Sequence, residues 1–168
     1  MSEAVVLVGG QGTRLRPLTE AVPKPLLPVA GVPFLQHQLA RLRAVGVDRV
    51  VLATSYRAEL FTEAFGDGSA LGIELISITE DEPMGTGGAI RNAARALRSG
   101  PDEPVVVLNG DILCGHDLAG QLAEHREHDA DVTLLPADGR VALALGPHRT
   151  TLTAPADRAA ELAPLIAE

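Results

Sequence analysis

Short apolar runs alternate along the chain with stretches whose apolar residues recur every three or four positions. Residues 4–8 are continuously apolar and end in glycines, and residues 50–53, 73–78, 105–108 and 132–135 are further apolar-rich runs. Runs this short and without strict polar alternation suit strands that are buried on both faces, so each predicts a strand. Between them the period changes. Residues 34–45 place Leu35, Leu39 and Leu42 at helical spacing and are closed by Gly46, a common stop signal after a helix. Residues 58–65 repeat the pattern, residues 88–97 put Ile90, Ala93, Ala94 and Leu97 on one face, and residues 118–128 are the last clear helical stretch.

Strand–helix–strand alternation over residues 1–135 implies an α/β fold, a Rossmann-like parallel sheet with a mixed edge and helices on both faces. In such sheets the ligand lies beyond the carboxyl ends of the strands. Attention therefore falls on residues 9–14, 80–88 and 109–111. The end of the chain reads differently. Residues 141–145 and 150–152, around Gly146 and Pro147, predict a hairpin. Thr153 reads as a helix cap with Pro155 in the first turn. Ala159, Leu162 and Ile166 share a face, which Pro164 should kink or end. The expected organisation is a core over 1–135 and a divergent hairpin-plus-helix tail over 136–168.

Composition narrows the functions. The length of 168 residues fits one compact domain, and 46% apolar residues suffice for a core. Aromatics are only 2%, so aliphatic side chains must fill that core and stacking platforms for single-stranded nucleic acid are scarce. A net charge of −8 without a basic block argues against a nucleic-acid partner. A small phosphorylated ligand stays open, since a few basic residues in one cleft suffice. Cys114 is the one cysteine, so no intrachain disulfide is expected. The start of the chain lacks the pattern of a signal peptide, and no segment approaches the roughly 20 apolar residues of a membrane helix. A cytoplasmic protein with no membrane association is the expectation.

The glycine cluster after the first run, Gly9, Gly10, Gln11, Gly12, Thr13 and Arg14, suits either a tight strand exit or close approach of backbone N–H groups to phosphate oxygens. Two phosphate loops are excluded. A Walker A loop needs Lys-Ser or Lys-Thr, and the chain has neither pair. A dinucleotide fingerprint needs a third glycine where Leu15 stands and an acid near Ala30 and Gly31.

The wider stretch Gly-Gly-Gln-Gly-Thr-Arg-Leu-Arg-Pro-Leu-Thr over 9–19, followed by Pro-Lys-Pro-Leu-Leu-Pro-Val over 23–29, resembles the signature of the sugar-1-phosphate nucleotidyltransferases. Within that family it is most similar to the mannose-1-phosphate guanylyltransferase type. The segments 85–89 (Gly-Thr-Gly-Gly-Ala) and 107–111 (Val-Leu-Asn-Gly-Asp) fit the same pattern, so the resemblance covers about residues 3–135. It implies in-line attack of a sugar 1-phosphate on the α-phosphorus of an NTP, GTP being favoured, with pyrophosphate leaving.

The resemblance assigns Gly9, Gly10, Gly12 and Thr13 to the nucleotide phosphates and Arg14 to the departing pyrophosphate; Arg16 is a weaker candidate. Lys24 is assigned to the α-phosphate. It lies between Pro23 and Pro25, which are expected to hold the segment extended, and it is the only lysine among 14 basic residues. Asp111 is assigned to Mg²⁺, Gly85 and Thr86 to the neighbourhood of the base, and Glu80 to the N1 and N2 hydrogens of guanine. Glu80, Asp81 and Glu82 read equally well as exposed loop acids. Asn109 reads as a turn support, Cys114 as a plain thiol, and His125 and His128 as part of a solvated helix face rather than a metal pair.

Members of the family continue well beyond Leu135 with sugar contacts, a Glu-Lys-Pro motif and a second aspartate for the metal. Here Leu145-Gly146-Pro147 stands where that motif is expected, and the remaining candidate acids after Asp138, which are Asp157, Glu161 and Glu168, lie in the tail. The readings that follow are a shortened enzyme, a non-catalytic nucleotide-binding regulatory subunit, or a half-enzyme completed by a partner. A homo-oligomer or a partner subunit is expected in any of them, because a shortened sheet should leave apolar surface uncovered.

Overall fold

The computed structural model describes residues 2–145 except positions 56, 81, 83, 101, 102, 114, 129, 131, 138 and 139. Asp81, Cys114 and everything read from residue 146 onward, including the 150–152 strand, the helix at Thr153 and the tail acids, lie outside the described residues.

The elements follow in the order β1 (Ser2–Leu7), β2 (Pro28–Val29), β3 (Val32–Pro33), α1 (Phe34–Ala44), β4 (Val47–Thr54), α2 (Ala58–Phe65), β5 (Glu74–Thr79), α3 (Gly85–Ala94), β6 (Val105–Asn109), α4 (Leu118–Glu127), β7 (Val132–Ala137) and β8 (Arg140–Leu145). Six strands form one sheet in the order β5-β4-β1-β6-β8-β7. The first four are mutually parallel, while β8 runs antiparallel to both β6 and β7. The result is the parallel α/β sheet with a mixed edge that the apolar pattern predicts. The chain builds outward from β1 through β4 to β5, then crosses to β6 on the other side of β1. That reversal opens a crevice at the carboxyl ends of β1 and β6, the usual ligand position in sheets of this kind.

Both faces of the sheet are covered, which explains the continuous apolar runs. Ala4, Val6, Val50, Leu52 and Val106 pack with Leu35, Leu39 and Leu42 of α1, Phe61 of α2 and Leu118 and Leu122 of α4. The alternate residues Val5, Val51, Ala53, Val105 and Val107 face Ala93 of α3.

At the amino end of the sheet, far from the crevice, a charged group sits in the core. Glu3 is fully buried. It accepts from Arg49 Nη1 at 2.6 Å, from the backbone N–H of Arg98 at 2.8 Å, and from the N–H and hydroxyl of Ser99. Burial pushes the Glu3 carboxyl up, but the bonds from Ser99, Arg49 and Arg98 outweigh it and hold the group below its ordinary value. This network ties β1 and β4 to the chain leaving α3.

Three local readings are corrected. Helix α3 begins at Gly85, not at residue 88, because its first turn is built of glycines and carries no apolar period to read. The Lys24 segment is one 3₁₀ turn, Lys24–Leu26, rather than extended backbone. Pro25 sits in the first turn, where a missing N–H costs nothing. Strand β8 pairs with β6 and β7. His125 is buried and its Nδ1 lies 2.9 Å from Thr133 Oγ1, so it belongs to the packed face of α4 with Leu118, Gln121 and Leu122. His128 is exposed.

Candidate active site

The chain leaves β1 through Val8, whose N–H donates to the Ala53 carbonyl at 3.0 Å. The loop that follows is held from outside. Ser55 Oγ donates to the Gly9 carbonyl at 2.5 Å, and Thr19 Oγ1, itself buried, donates to the Gly12 carbonyl at 2.8 Å. Gly12 has φ 61°, and a β-carbon there would meet Thr19 and Lys24, so glycine is required by both backbone and space. Gly10 is the opposite case. Beyond its chain neighbours, no atom of the described residues lies within 4 Å of where its side chain would begin. Gly10 therefore leaves bare backbone on the cleft, room that a β-carbon would take up. Thr13–Leu15 then makes a single 3₁₀ turn that carries Arg14.

Lys24 arrives on its own turn, with Pro23 and Pro25 buried on either side. Its Nζ lies 2.8 Å from Asp111 Oδ2, in a pair whose side chains are 33% and 39% exposed. Asp111 stands just past β6 on a tightly fixed turn. The Gly110 N–H donates to the Leu7 carbonyl at 2.8 Å, and a β-carbon at Gly110 would run into Val8 and Leu7. From α1, Gln38 Nε2 donates to the carbonyls of Asn109, at 2.9 Å, and of Ile112. Asn109 thus supports the turn through its backbone. Across the crevice, Glu80 receives the Met84 N–H on Oε2 at 3.3 Å, just before α3.

These segments enclose one open cleft of about 750 Å³. Gly9, Gly10, Gly12, Thr13, Arg14, Lys24, Glu80, Gly85, Thr86 and Asp111 all line it, as do Gln11, Ser55 and Asn109. Arg16 and Glu82 are not among the lining residues. Sequence reading missed Gln38, Ser55 and Thr19. Only Gln38 leaves a signal: a polar residue on the apolar face that Leu35, Leu39 and Leu42 define, where a buried amide must have partners.

Among the described residues no group of three or more His, Cys, Asp or Glu is placed to hold a metal. One carboxylate, Asp111, faces the cleft near the glycine loop. That donor set fits a hard cation of the Mg²⁺ kind, which is commonly held by one or two carboxylates with phosphate oxygens and water completing the shell.

Residues 3–146 match the family model described as nucleotidyl transferase. Over 132 residues, 79% of this chain, the sequence is 55% identical to the mannose-1-phosphate guanylyltransferase of Mycobacterium tuberculosis. It is 44% identical over 135 residues, 80% of this chain, to the mannose-1-phosphate guanylyltransferase catalytic subunit beta of Drosophila pseudoobscura pseudoobscura. The chain spans 36% of the length of each. Among solved structures, HddC from Yersinia pseudotuberculosis complexed with GMP-PN is similar at a TM-score of 0.66 and 28% identity, covering 89% of this chain and 71% of that one.

Proposed function

Because the chain belongs to the nucleotidyl transferase family, we propose that its cleft holds a nucleoside triphosphate and joins it to a sugar 1-phosphate, with release of pyrophosphate. The observation that carries this reading is the bare backbone at Gly10 facing a cavity on which Arg14, Lys24 and Asp111 converge from three separate segments. An oxygen of the sugar phosphate attacks the α-phosphorus. The bond from that phosphorus to the oxygen bridging to the β-phosphate breaks, and pyrophosphate leaves with the electron pair. No enzyme nucleophile takes part, so positioning and charge neutralisation supply the catalysis.

In this reading Gly9, Gly10, Gly12 and Thr13 cradle the phosphates through their backbone. Arg14 offers a guanidinium fork to the leaving pyrophosphate, and Lys24 places a compact charge at the α-phosphate. Asp111 would hold Mg²⁺, which would supply charge neutralisation to the phosphates. Gly85 and Thr86 border the base. Glu80 accepts from guanine, and GTP is favoured because the bacterial and fly relatives are both named guanylyltransferases. The fly relative is also named a catalytic subunit, which supports a partner subunit. No helix among the described residues is long and apolar enough to cross a membrane, and we place the activity in the cytoplasm.

Titration calorimetry with GTP, with and without Mg²⁺, tests the site. Wild type is expected to bind more tightly with Mg²⁺. Asp111→Asn is expected to lose about tenfold of that gain, the scale of one charge-assisted contact, while keeping its fold. An unchanged Mg²⁺ dependence would remove Asp111 from the role.

A further inference from the structure

We propose that the Asp111 carboxylate is an exchange point: in the free protein it holds the Lys24 ammonium beside the glycine loop, and when nucleotide and divalent cation bind it gives that ammonium up to the phosphates. This rests on the reading of Asp111 as the cation's ligand. The ion pair itself is the observation. Lys24 Nζ lies 2.8 Å from Asp111 Oδ2, inside the cleft that both residues line.

The two side chains are rooted firmly and free at their tips. Lys24 grows from a turn pinned by two buried prolines and packs its β-carbon close to Gly12. Asp111 grows from the turn that Gln38 and Gly110 fix. An exchange therefore needs no backbone movement, only rotation of a four-carbon stem carrying three rotatable donors. A carboxylate oxygen 2.8 Å from an ammonium cannot take a divalent cation on the same side, because two positive charges would then be nearly in contact. One must leave. A pair this open to water is easily released: its formation is worth roughly two- to fivefold in an equilibrium constant.

The pair would thereby set the order of events. Nucleotide without a cation must break the pair unaided, whereas nucleotide with a cation replaces it. Asp111 acts first as a positioning residue that keeps the ammonium near its later site, and then as a ligand.

Lys24 is the only lysine, so protein labelled with ¹³C at the lysine ε-carbon gives one lysine resonance. Wild type and Asp111→Asn are compared free and with Mg²⁺ and GTP at concentrations that calorimetry shows to be saturating. The resonance is expected to differ between the two proteins when free, to move in wild type on saturation, and to converge in the two saturated proteins. A wild-type resonance that stays put at saturation, or a difference between the proteins that persists unchanged, overturns the exchange while leaving nucleotide binding intact. Absence of GTP binding in the calorimetry overturns the nucleotide reading and the exchange with it.

Discussion

Replacing Glu3 by glutamine is expected to destabilise the protein by about 3–5 kcal/mol, the usual cost of removing one partner of a buried ion pair. Glu3 is fully buried, and every group that contacts its carboxylate is a donor: Arg49 Nη1, the N–H groups of Arg98 and Ser99, and the Ser99 hydroxyl. A glutamine would turn an NH₂ toward some of those donors and leave the buried Arg49 guanidinium with only the part-exposed Glu74 carboxylate, 3.3 Å from its Nε, to balance its charge. A loss of that size is a large share of the roughly 5–15 kcal/mol that holds a domain together, and should lower Tm by about 10 °C. The pH dependence has a definite sign. The folded-state pKa of Glu3 is lowered from 4.5, so its contribution is fully present above that value and is lost as pH falls through the folded-state value. The stability gap between wild type and Glu3→Gln should be constant near neutrality and shrink in acid. Urea unfolding at several pH values measures it; a gap that grows in acid would contradict the assignment. The cleft lies at the other end of the sheet, so nucleotide affinity should be unchanged wherever the variant is folded.

Lys24→Arg is expected to lower kcat on the order of a hundredfold, typical of one lost electrostatic contact in a transition state, and to raise the KM for NTP much less. The 3₁₀ turn and its buried prolines fix where the side chain starts, so the longer, planar guanidinium cannot back away to restore the geometry. An ammonium meets one α-phosphate oxygen as a point charge, whereas a guanidinium demands a bidentate arrangement. Arginine would also grip Asp111 through two parallel hydrogen bonds and release it less readily. A contact that strengthens only as phosphorus becomes five-coordinate affects kcat, while a uniform binding contact affects KM. Steady-state pyrophosphate release separates the two. A pure KM effect would make Lys24 an ordinary binding residue.

Much of this site was legible in the sequence because its parts are local motifs at the ends of apolar runs. The run ending in Gly9 and Gly10 and the run ending at Asn109 are adjacent parallel strands, so topology alone brings the loop and Asp111 together. The Lys24 segment was recognisable as special, but its conformation was not. Proline restricts backbone angles without choosing between extended chain and a first helical turn, and here the packing of Pro23 and Pro25 decides. The supports were the least legible part. Thr19 and Ser55 are unremarkable in sequence, since their value lies in carbonyls seven and forty-six positions away. Glu3 was hidden for the same reason: a lone acid at the start of an apolar strand reads as solvent-facing until its partner on β4 is known. His125 was misjudged because the helical period was taken to end in a solvated face, while β7 covers it.

Pyrophosphate release from a panel of NTPs and sugar 1-phosphates tests the proposed chemistry most directly. The expected result is release that requires Mg²⁺, an NTP and a sugar 1-phosphate together, is fastest with GTP, and is abolished in Asp111→Asn. Tight Mg²⁺-dependent GTP binding with no pyrophosphate from any pair would contradict a chain that is a transferase on its own and leave a nucleotide-binding regulatory subunit or a half-enzyme that needs a partner.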